Sequence, residues 1–328
     1  MFDERFDTFL LLPFGDVEQF PRLAIEGEVL DQNEVKSSIR NHLGLNEPQE
    51  PVRDDKAAGI GELMVSVRTT FADDLSRKHL FRWHHMLMKG ETRIAVGQWR
   101  EGKDAMQIIS GPIGRPRIHF EAMPTSQVPA EMTRFLKWFN DESHSSDYPA
   151  LSYAPLRSAL AHLYFETIHP FEDGNGRIGR AISEKALSQG FGRPVPMSLS
   201  QTIEANRKNY YRFLELAQTG SEVTEWVCFF AEMVLQAQEN AETLVQLAIS
   251  KNRYFQRFEN SLNERQLKAV RRLYDAEPDG FEGGLSAKKY CAITGASKAT
   301  ATRDLQHLLS IGALRQEGQG RSTRYWLP

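Results

Sequence analysis

A run of polar and small residues between two apolar stretches carries the strongest chemical signal in this sequence. It covers residues 169–180 and reads His-Pro-Phe-Glu-Asp-Gly-Asn-Gly-Arg-Ile-Gly-Arg. Gly174 and Gly176 let the backbone turn sharply and leave its amide groups uncovered, just before a helix predicted to begin near Arg177. Uncovered amides at a helix N-terminus bind anions. The chemistry predicted for this loop is therefore anion binding.

The charged residues of the run indicate which anion it would bind. Arg177 and Arg180 are three residues apart and project from one face of the first helical turn. Two guanidinium groups beside a nest of amides suit a polyphosphate better than a single carboxylate. Asp173 would repel phosphate unless a cation bridges them, and Mg²⁺ is the natural bridge. His169 precedes the nest and could take a proton from an incoming hydroxyl.

This string resembles the Fic family signature, His-x-Phe-x-(Asp/Glu)-Gly-Asn-Gly-Arg-x-x-Arg, at every defined position. The resemblance extends over residues 20–250 and includes the family's Trp-x-Asn at Trp138–Asn140. It implies a Fic helical bundle with a β-hairpin flap, and transfer of AMP from ATP to a Ser, Thr or Tyr hydroxyl of a target protein or of the chain itself. The implied enzyme is a protein adenylyltransferase, a nucleotidyltransferase with ATP as substrate and Mg²⁺ as cofactor.

The resemblance also implies a role for individual residues. His169 is the expected general base, and Asp173 is the expected Mg²⁺ ligand. The expected nucleotide contacts are Gly174, Asn175, Gly176, Arg177, Ile178, Gly179 and Arg180 in the motif, Ile118, His119 and Phe120 on the flap, and Tyr210 and Tyr211 near the base. For the two tyrosines, packing between helices is the alternative role.

A regulatory residue is expected upstream, in a segment similar to the N-terminal region of Fic proteins with an inhibitory helix. Glu26-Gly27 matches the second half of the family's inhibitory motif, (Ser/Thr)-x-x-x-Glu-(Gly/Asn). Arg22 stands where the Ser or Thr would be, and Pro21 precedes it. A carboxylate that reaches Arg180 would take the salt bridge that the γ-phosphate of ATP needs. The expectation is autoinhibition by Glu26, and the alternative is a surface Glu in a turn.

The elements that must position these residues are predominantly helices, so the fold class is mostly α. A period of three to four residues predicts helices over 33–43, 62–89 (interrupted at Asp73-Asp74), 130–141, 155–167, 177–189, 202–218 and 223–246. Gly and Pro residues between apolar pairs predict a β-hairpin over Ile108–Phe120. The resemblance implies that this flap docks the target backbone by strand addition.

The last segment, residues 261–328, resembles a winged helix-turn-helix domain. Three helical patterns, a turn at Gly295, and a Gly-rich turn followed by a strand succeed one another there. Lys and Arg outnumber Asp and Glu by four in this segment. A DNA major groove would face Lys298, Thr300, Thr302 and Arg303, within residues 286–326. Contacts with the target protein or a second copy are the alternative.

Length and composition limit the number of domains and the classes of protein that this sequence can encode. With 328 residues, about two domains are expected. We divide the chain into an N-terminal segment with the inhibitory motif (1–60), a Fic catalytic domain (61–250) and the winged helix-turn-helix domain (261–328). The 41% of hydrophobic residues excludes general disorder, and a net charge of −3 excludes a general polyanion binder.

The cysteine count and the length of the apolar runs predict the cellular compartment and the partners of the chain. Two Cys are too few for a disulfide framework and favour a reducing compartment. Since no apolar run approaches the length of a membrane helix, a cytoplasmic protein without a membrane partner is expected. The expected partners are ATP and a hydroxyl-bearing target protein, and a homodimer is compatible with the sequence.

Two rival functions stay open. In the first, a winged-helix DNA-binding regulator uses the Fic domain only as a nucleotide sensor. Retention of His169 speaks against it, because phosphate binding needs no base whereas hydroxyl attack does. The second is a de-AMPylating enzyme, or one that moves another phosphate-containing group. One pocket could serve both directions of transfer.

Overall fold

The computed structural model describes residues 24–25, 28–29, 31–46, 48–102, 106–110, 117–141, 150–278 and 280–328. These residues are mostly helical, as predicted, and they fall into two compact units. The first unit spans residues 22–239, and the described residues of the second begin at Asn240. Among the described helices, none combines the length and apolar character needed to cross a membrane.

The first unit opens with two short antiparallel strands, β1 (Ala24–Ile25) and β2 (Glu28–Val29). The helices that follow are α1 (Gln32–His42), α2 (Asp55–Thr69), α3 (Arg77–Leu87), α4 (Val128–Phe139), α5 (Ala150–Ile168), α6 (Asn175–Phe191), α7 (Leu199–Ala205) and α8 (Arg207–Thr219). Helix α9 (Thr224–Phe258) begins in this unit and ends in the other.

Local signals set the helix ends. The predicted helical pattern over 62–89 divides into α2 and α3, as the interruption at Asp73-Asp74 indicates. The Ser76 hydroxyl caps the second of these helices by accepting the N–H of His79 at 3.2 Å. The fully buried Lys185 donates from Nζ to the carbonyls of Thr70 and Phe71, just past the C-terminus of α2. Because α6 carries this lysine, the bonds tie α2 to α6.

The core of the first unit lies around α5 and α6, which the loop of residues 169–174 connects. Phe165, Phe171, Ile178 and Ile182 are all fully buried there. Each such side chain contributes about 1.5–3 kcal/mol when it leaves water. The motif loop is therefore anchored at both ends, and through Phe171, in the best-packed part of the unit.

The predicted β-hairpin is confirmed. Strand β3 (Gln107–Ser110) pairs antiparallel with β4 (Arg117–Glu121), with Gln107 opposite Glu121 and a register irregularity between Ile108 and Ile109. Its turn, residues 111–116, lies outside the described residues. Strand β4 packs against α8.

The C-terminal unit contains the end of α9, then α10 (Glu264–Tyr274), α11 (Ala287–Thr294), α12 (Lys298–Ser310), and the antiparallel pair of β5 (Arg315–Glu317) and β6 (Arg324–Trp326). Leu285 adds a single bridge to Tyr325. Compared with the predicted boundary at 261, this unit starts about twenty residues earlier. Helix α9 is unbroken to Phe258, and its Tyr254 and Phe258 are buried in the core of this unit.

Candidate active site

The motif loop places His169 immediately after the last turn of α5. Its backbone N–H still donates to the carbonyl of Phe165 at 2.9 Å, but its φ of 51° turns the chain out of the helix. A residue other than glycine adopts this left-handed conformation only where the surroundings hold it. Phe171 follows, fully buried, with its ring stacked on that of His84 at a centroid distance of 4.1 Å.

The His169 imidazole is neutral at pH 7. Burial lowers the pKa of this histidine from 6.5 to about 4, and the nearby Arg100 cation lowers it further, against opposing contributions from the Glu166 backbone and Asp173. The side chain is 14% exposed, and its Nδ1 lies 3.7 Å from Oε2 of Glu166. A neutral, partly accessible imidazole can accept a proton.

Two glycines of the motif let α6 approach its neighbours. Gly174 caps α6 in the left-handed region, with φ of 80°, where a Cβ would clash with Cε of Met88 and come within 2.9 Å of Cδ2 of Leu87. A Cβ on Gly179 would lie 2.5 Å from Oε1 of Glu166. Glycine therefore allows close packing at both positions, and at Gly174 it also allows the turn.

The two arginines lie close to the start of α6 with different partners. Nη2 of Arg177 is 3.6 Å from Oδ1 of Asp173, and Nε of Arg180 donates to Oγ of Ser200 at 3.0 Å. Both residues line a cavity of about 60 Å³ whose opposite wall is apolar and comes from α2. The structure thus brings the predicted phosphate-binding cations together with the glycine-rich turn.

Asp173 fits the role of a Mg²⁺ ligand. Its side chain is 59% exposed, and its Oδ1 accepts the N–H of Gly174 at 2.5 Å. Within the described residues, no group of three or more His, Cys, Asp and Glu side chains forms a metal site. Mg²⁺ is commonly bound by one or two carboxylates together with substrate phosphates and water. A single exposed carboxylate beside the predicted phosphate-binding residues matches that donor set.

His84 and Arg100 also contact the motif loop, and the sequence did not single them out. His84 Nδ1 accepts the N–H of Gly97 at 2.9 Å, so Nε2 carries the proton and donates to the carbonyl of Asp173 at 3.2 Å. Burial lowers the pKa of His84 to about 4, which keeps the ring neutral. These bonds span up to 89 residues of sequence, so no local pattern could have revealed them.

Strand β4 of the flap and helix α8 carry the remaining predicted nucleotide contacts. Ile118 and His119 lie on β4, and Phe120 is half-buried. Tyr210 is 3% exposed and its hydroxyl is 2.7 Å from Nε2 of His162, whereas Tyr211 is 43% exposed. Because β4 packs against α8, which carries both tyrosines, hairpin and tyrosines share one side of the unit.

The expected regulatory pair, Glu26-Gly27, lies outside the described residues. The residues on either side of it form β1 and β2, and β1 packs against α7. Helix α7 carries Ser200, the partner of Arg180.

Comparison with known proteins covers the motif and its surroundings. Residues 74–187 match the Fic/DOC family model. Over 101 residues, or 31% of this chain, the sequence is 40% identical to "Protein adenylyltransferase Fic" of Drosophila sechellia and of Drosophila virilis. The chain spans about a fifth of the length of these curated relatives, 18% and 19% respectively.

Solved structures share the fold. A Fic family protein from Desulfovibrio desulfuricans G20 aligns with 99% of this chain and 88% of its own, with a TM-score of 0.50 and 19% identity. A Fic domain containing signaling protein from Bacteroides thetaiotaomicron aligns with 73% of this chain and 87% of its own, with a TM-score of 0.52 and 16% identity.

Proposed function

Because the chain contains a Fic/DOC domain, we propose that it is a protein adenylyltransferase, which transfers AMP from ATP to a Ser, Thr or Tyr hydroxyl of a target protein or of itself. One observation carries the proposal: the neutral imidazole of His169 stands in the same loop as the glycine-rich, doubly cationic start of α6. A base and a polyphosphate site side by side are what hydroxyl attack on a nucleotide requires.

The proposed transfer assigns each residue a simple task. Nε2 of His169 takes the proton of the target hydroxyl as its oxygen bonds to the α-phosphorus of ATP. The bond from that phosphorus to the bridging oxygen breaks, and pyrophosphate leaves with its electron pair. Arg177 and Arg180 neutralise the departing charge, while the amides of Asn175 and Gly176 in the first turn of α6 hold the phosphates. Mg²⁺ held by Asp173 would supply further charge neutralisation.

Substrate presentation is assigned to the flap. Strands β3 and β4 would accept the target backbone by strand addition, which aligns the hydroxyl with His169. Adenine would lie near Ile118 to Phe120 and the exposed Tyr211. The burial of Tyr210 supports an indirect role for this residue, in which it supports the wall of the base pocket through its contact with His162.

Regulation by Glu26 is part of the proposal. A carboxylate near Arg180 would compete with the γ-phosphate of ATP for this guanidinium. Replacing Glu26 with Gly should raise AMP transfer at least tenfold, which corresponds to about 1.4 kcal/mol. Equal rates in the Glu26→Gly variant and the wild type would leave Glu26 without a regulatory role.

The C-terminal unit supports a second candidate function, DNA binding by a winged helix. Lys298, Thr302 and Arg303 are exposed on α12, whereas Asp304, the acidic residue of this helix, faces inward at 6% exposure. Asp304 is satisfied there by Nε of Arg265 at 3.1 Å. The outward face of α12 therefore presents cations and hydroxyls without an acid, as a phosphate-lined groove prefers.

Fluorescence anisotropy with a labelled 30-base-pair duplex at low salt tests this second function. A double Lys298→Ala, Arg303→Ala variant should weaken binding, while a double Arg271→Ala, Arg272→Ala variant on α10 serves as the control. No binding by the wild type, or equal binding by both variants, would assign α12 to contacts with the target protein or a second copy.

Nucleotides labelled at different positions test the main proposal. The protein is incubated with Mg²⁺, a cell lysate, and ATP carrying ³²P at either the α- or the γ-phosphate. Label from the α-position should appear on protein, and label from the γ-position should not. Transfer of γ-label would contradict AMP transfer. Release of AMP from a pre-labelled protein would instead assign the reverse reaction.

A further inference from the structure

A short segment of chain runs along the motif loop and is fixed to it at several points. We call residues 95–100 the brace segment. The N–H of Ala95 donates to Oε2 of Glu172 at 3.2 Å, and the N–H of Arg100 donates to the carbonyl of Pro170 at 2.8 Å. Between them, the N–H of Gly97 reaches His84, which in turn holds Asp173.

The side chain at the end of the brace segment reaches in two directions. Arg100 is 4% exposed, and its Nε donates to the carbonyl of His169 at 2.8 Å. Its Nη1 donates to Oγ1 of Thr125 at 2.6 Å, and its Nη2 donates to the carbonyl of Met123 at 2.5 Å. Met123 and Thr125 lie two and four residues after the end of β4. One guanidinium therefore connects the backbone of His169, the proposed base, to the chain just after the flap hairpin.

Two features of the surrounding backbone favour a positioning role for the Arg100 side chain. His169 has a positive φ, a conformation that persists only when neighbouring bonds hold it. The hairpin is closed at the same end, where the N–H of Ala122 donates to the carbonyl of Met106 at 2.8 Å. A planar guanidinium has donors in fixed directions and can satisfy three acceptors at once, whereas the flexible ammonium of lysine cannot reproduce that geometry.

We propose that Arg100 is a positioning residue, which fixes the spacing between His169 and the flap hairpin that presents the target. The inference rests on the proposed function and deepens it. Because the phosphate-binding groups lie at the start of α6, Arg100 should act mainly on the transfer step. Its effect on ATP affinity, through the adenine contacts proposed for β4, should be smaller.

Arg100 also acts on His169 through its charge, which gives a second readout. The groups that face this imidazole are Arg100 from the brace segment, Glu166 from α5 and Asp173 from the loop. Removal of the Arg100 charge should raise the pKa of His169, because a nearby cation disfavours the protonated imidazole. The acidic limb of the pH–rate profile should then move to higher pH in Arg100→Met and stay in place in Arg100→Lys.

Steady-state kinetics of AMP transfer test the proposal. We expect kcat to fall about 100-fold in Arg100→Met and about tenfold in Arg100→Lys, with a smaller change in KM for ATP than in kcat in both variants. Arg93→Met is the matched control, because Arg93 lies just before the brace segment with its side chain 89% exposed, and it should behave as wild type. A wild-type kcat in Arg100→Met, or a KM for ATP that rises by as large a factor as kcat falls, would overturn the positioning role.

Hydrogen exchange separates this proposal from the proposed function. If the wild type transfers no AMP, the proposed function fails, and the amides of residues 117–123 and of His169 and Phe171 still report on Arg100. Faster exchange at both sites in Arg100→Met, or in Arg100→Lys if the first variant does not fold, supports a connection between loop and hairpin. Unchanged exchange at both sites overturns it.

Discussion

The side-chain amide of Asn175 makes two hydrogen bonds with the backbone of Phe171. Oδ1 accepts the N–H of Phe171 at 2.9 Å, and Nδ2 donates to its carbonyl at 2.8 Å. Asn175 is 2% exposed, so this side chain closes the motif loop from within. The shape of the loop at the start of α6 is therefore fixed before any anion arrives. The N–H of Gly174, which the sequence predicts to be uncovered, is already bonded to Oδ1 of Asp173.

The first expected outcome concerns Gly174. A Gly174→Ala substitution adds about 1–2 kcal/mol of left-handed strain and about 1–3 kcal/mol of overpacking against Met88 and Leu87. Gly192→Ala is the control, since Gly192 has φ of 66° with open space around its Cβ position, and should cost only the strain. Urea unfolding compares the two, and equal losses of stability would contradict the close approach of α6 to α3.

The second prediction concerns Arg177, which we expect to form an ion pair with a phosphate group of ATP. Arg177→Ala should weaken ATP·Mg²⁺ binding by about tenfold or more, because a charged hydrogen bond is worth about 1.5–3 kcal/mol. Arg134→Ala serves as the control, since Arg134 is 74% exposed on α4 and pairs with Glu131. Titration calorimetry on both variants measures the difference, and an unchanged Kd in Arg177→Ala would remove this residue from the phosphate site.

The third prediction concerns the free energy of unfolding at acidic pH. Burial is the main cause that lowers the pKa of His84 and His169 to about 4 and of His162 to about 3, all from 6.5. Between pH 6.5 and those values the unfolded chain binds protons that the folded chain does not, so the free energy of unfolding falls as pH drops. We expect a lower urea midpoint at pH 5 than at pH 7.

A matched pair of variants assigns that pH dependence. His84→Gln should reduce it, because Gln cannot be protonated and His162 and His169 still contribute, whereas His42→Gln on the exposed part of α1 should keep it. Identical midpoints at pH 5 and pH 7 in the wild type would show that these rings are not held neutral.

The fourth concerns the boundary of the C-terminal unit. Tyr254 and Phe258 of α9 are 5% and 6% exposed, and the Tyr254 hydroxyl donates to the carbonyl of Ala313 at 2.8 Å. Losing one buried aromatic side chain typically costs about 3–5 kcal/mol. A fragment of residues 240–328 should therefore melt cooperatively by circular dichroism, and a fragment of residues 261–328 should not. Equal melting temperatures would place the boundary at 261.

The sequence predicted the parts of this molecule that depend on local patterns. The hairpin over Ile108–Phe120 follows from Gly and Pro between apolar pairs, and the polar interruption at Asp73-Asp74 marks the gap between α2 and α3. The motif loop also needed no long-range information, since its glycines, arginines and base lie within twelve residues.

What the sequence could not predict depends on contacts between distant residues. Arg100 and His169 are 69 residues apart, and nothing near Arg100 distinguishes it from an exposed arginine. Tyr210 and Tyr211 are adjacent and alike in type, yet only the packing of α8 decides that the first is buried beside His162 and the second faces solvent. The apolar pattern of α9 continues without a break, so the sequence did not indicate the residue at which one unit ends and the next begins.

The initial rate of AMP transfer by His169→Ala tests most directly whether His169 is the base of the proposed transfer reaction. His85→Ala is the control, because His85 is exposed on α3. General bases contribute about 10²–10⁴-fold, so we expect a loss of at least 100-fold in His169→Ala, with ATP affinity unchanged and the control at the wild-type rate. A His169→Ala variant within twofold of the wild-type rate would show that His169 is not the base.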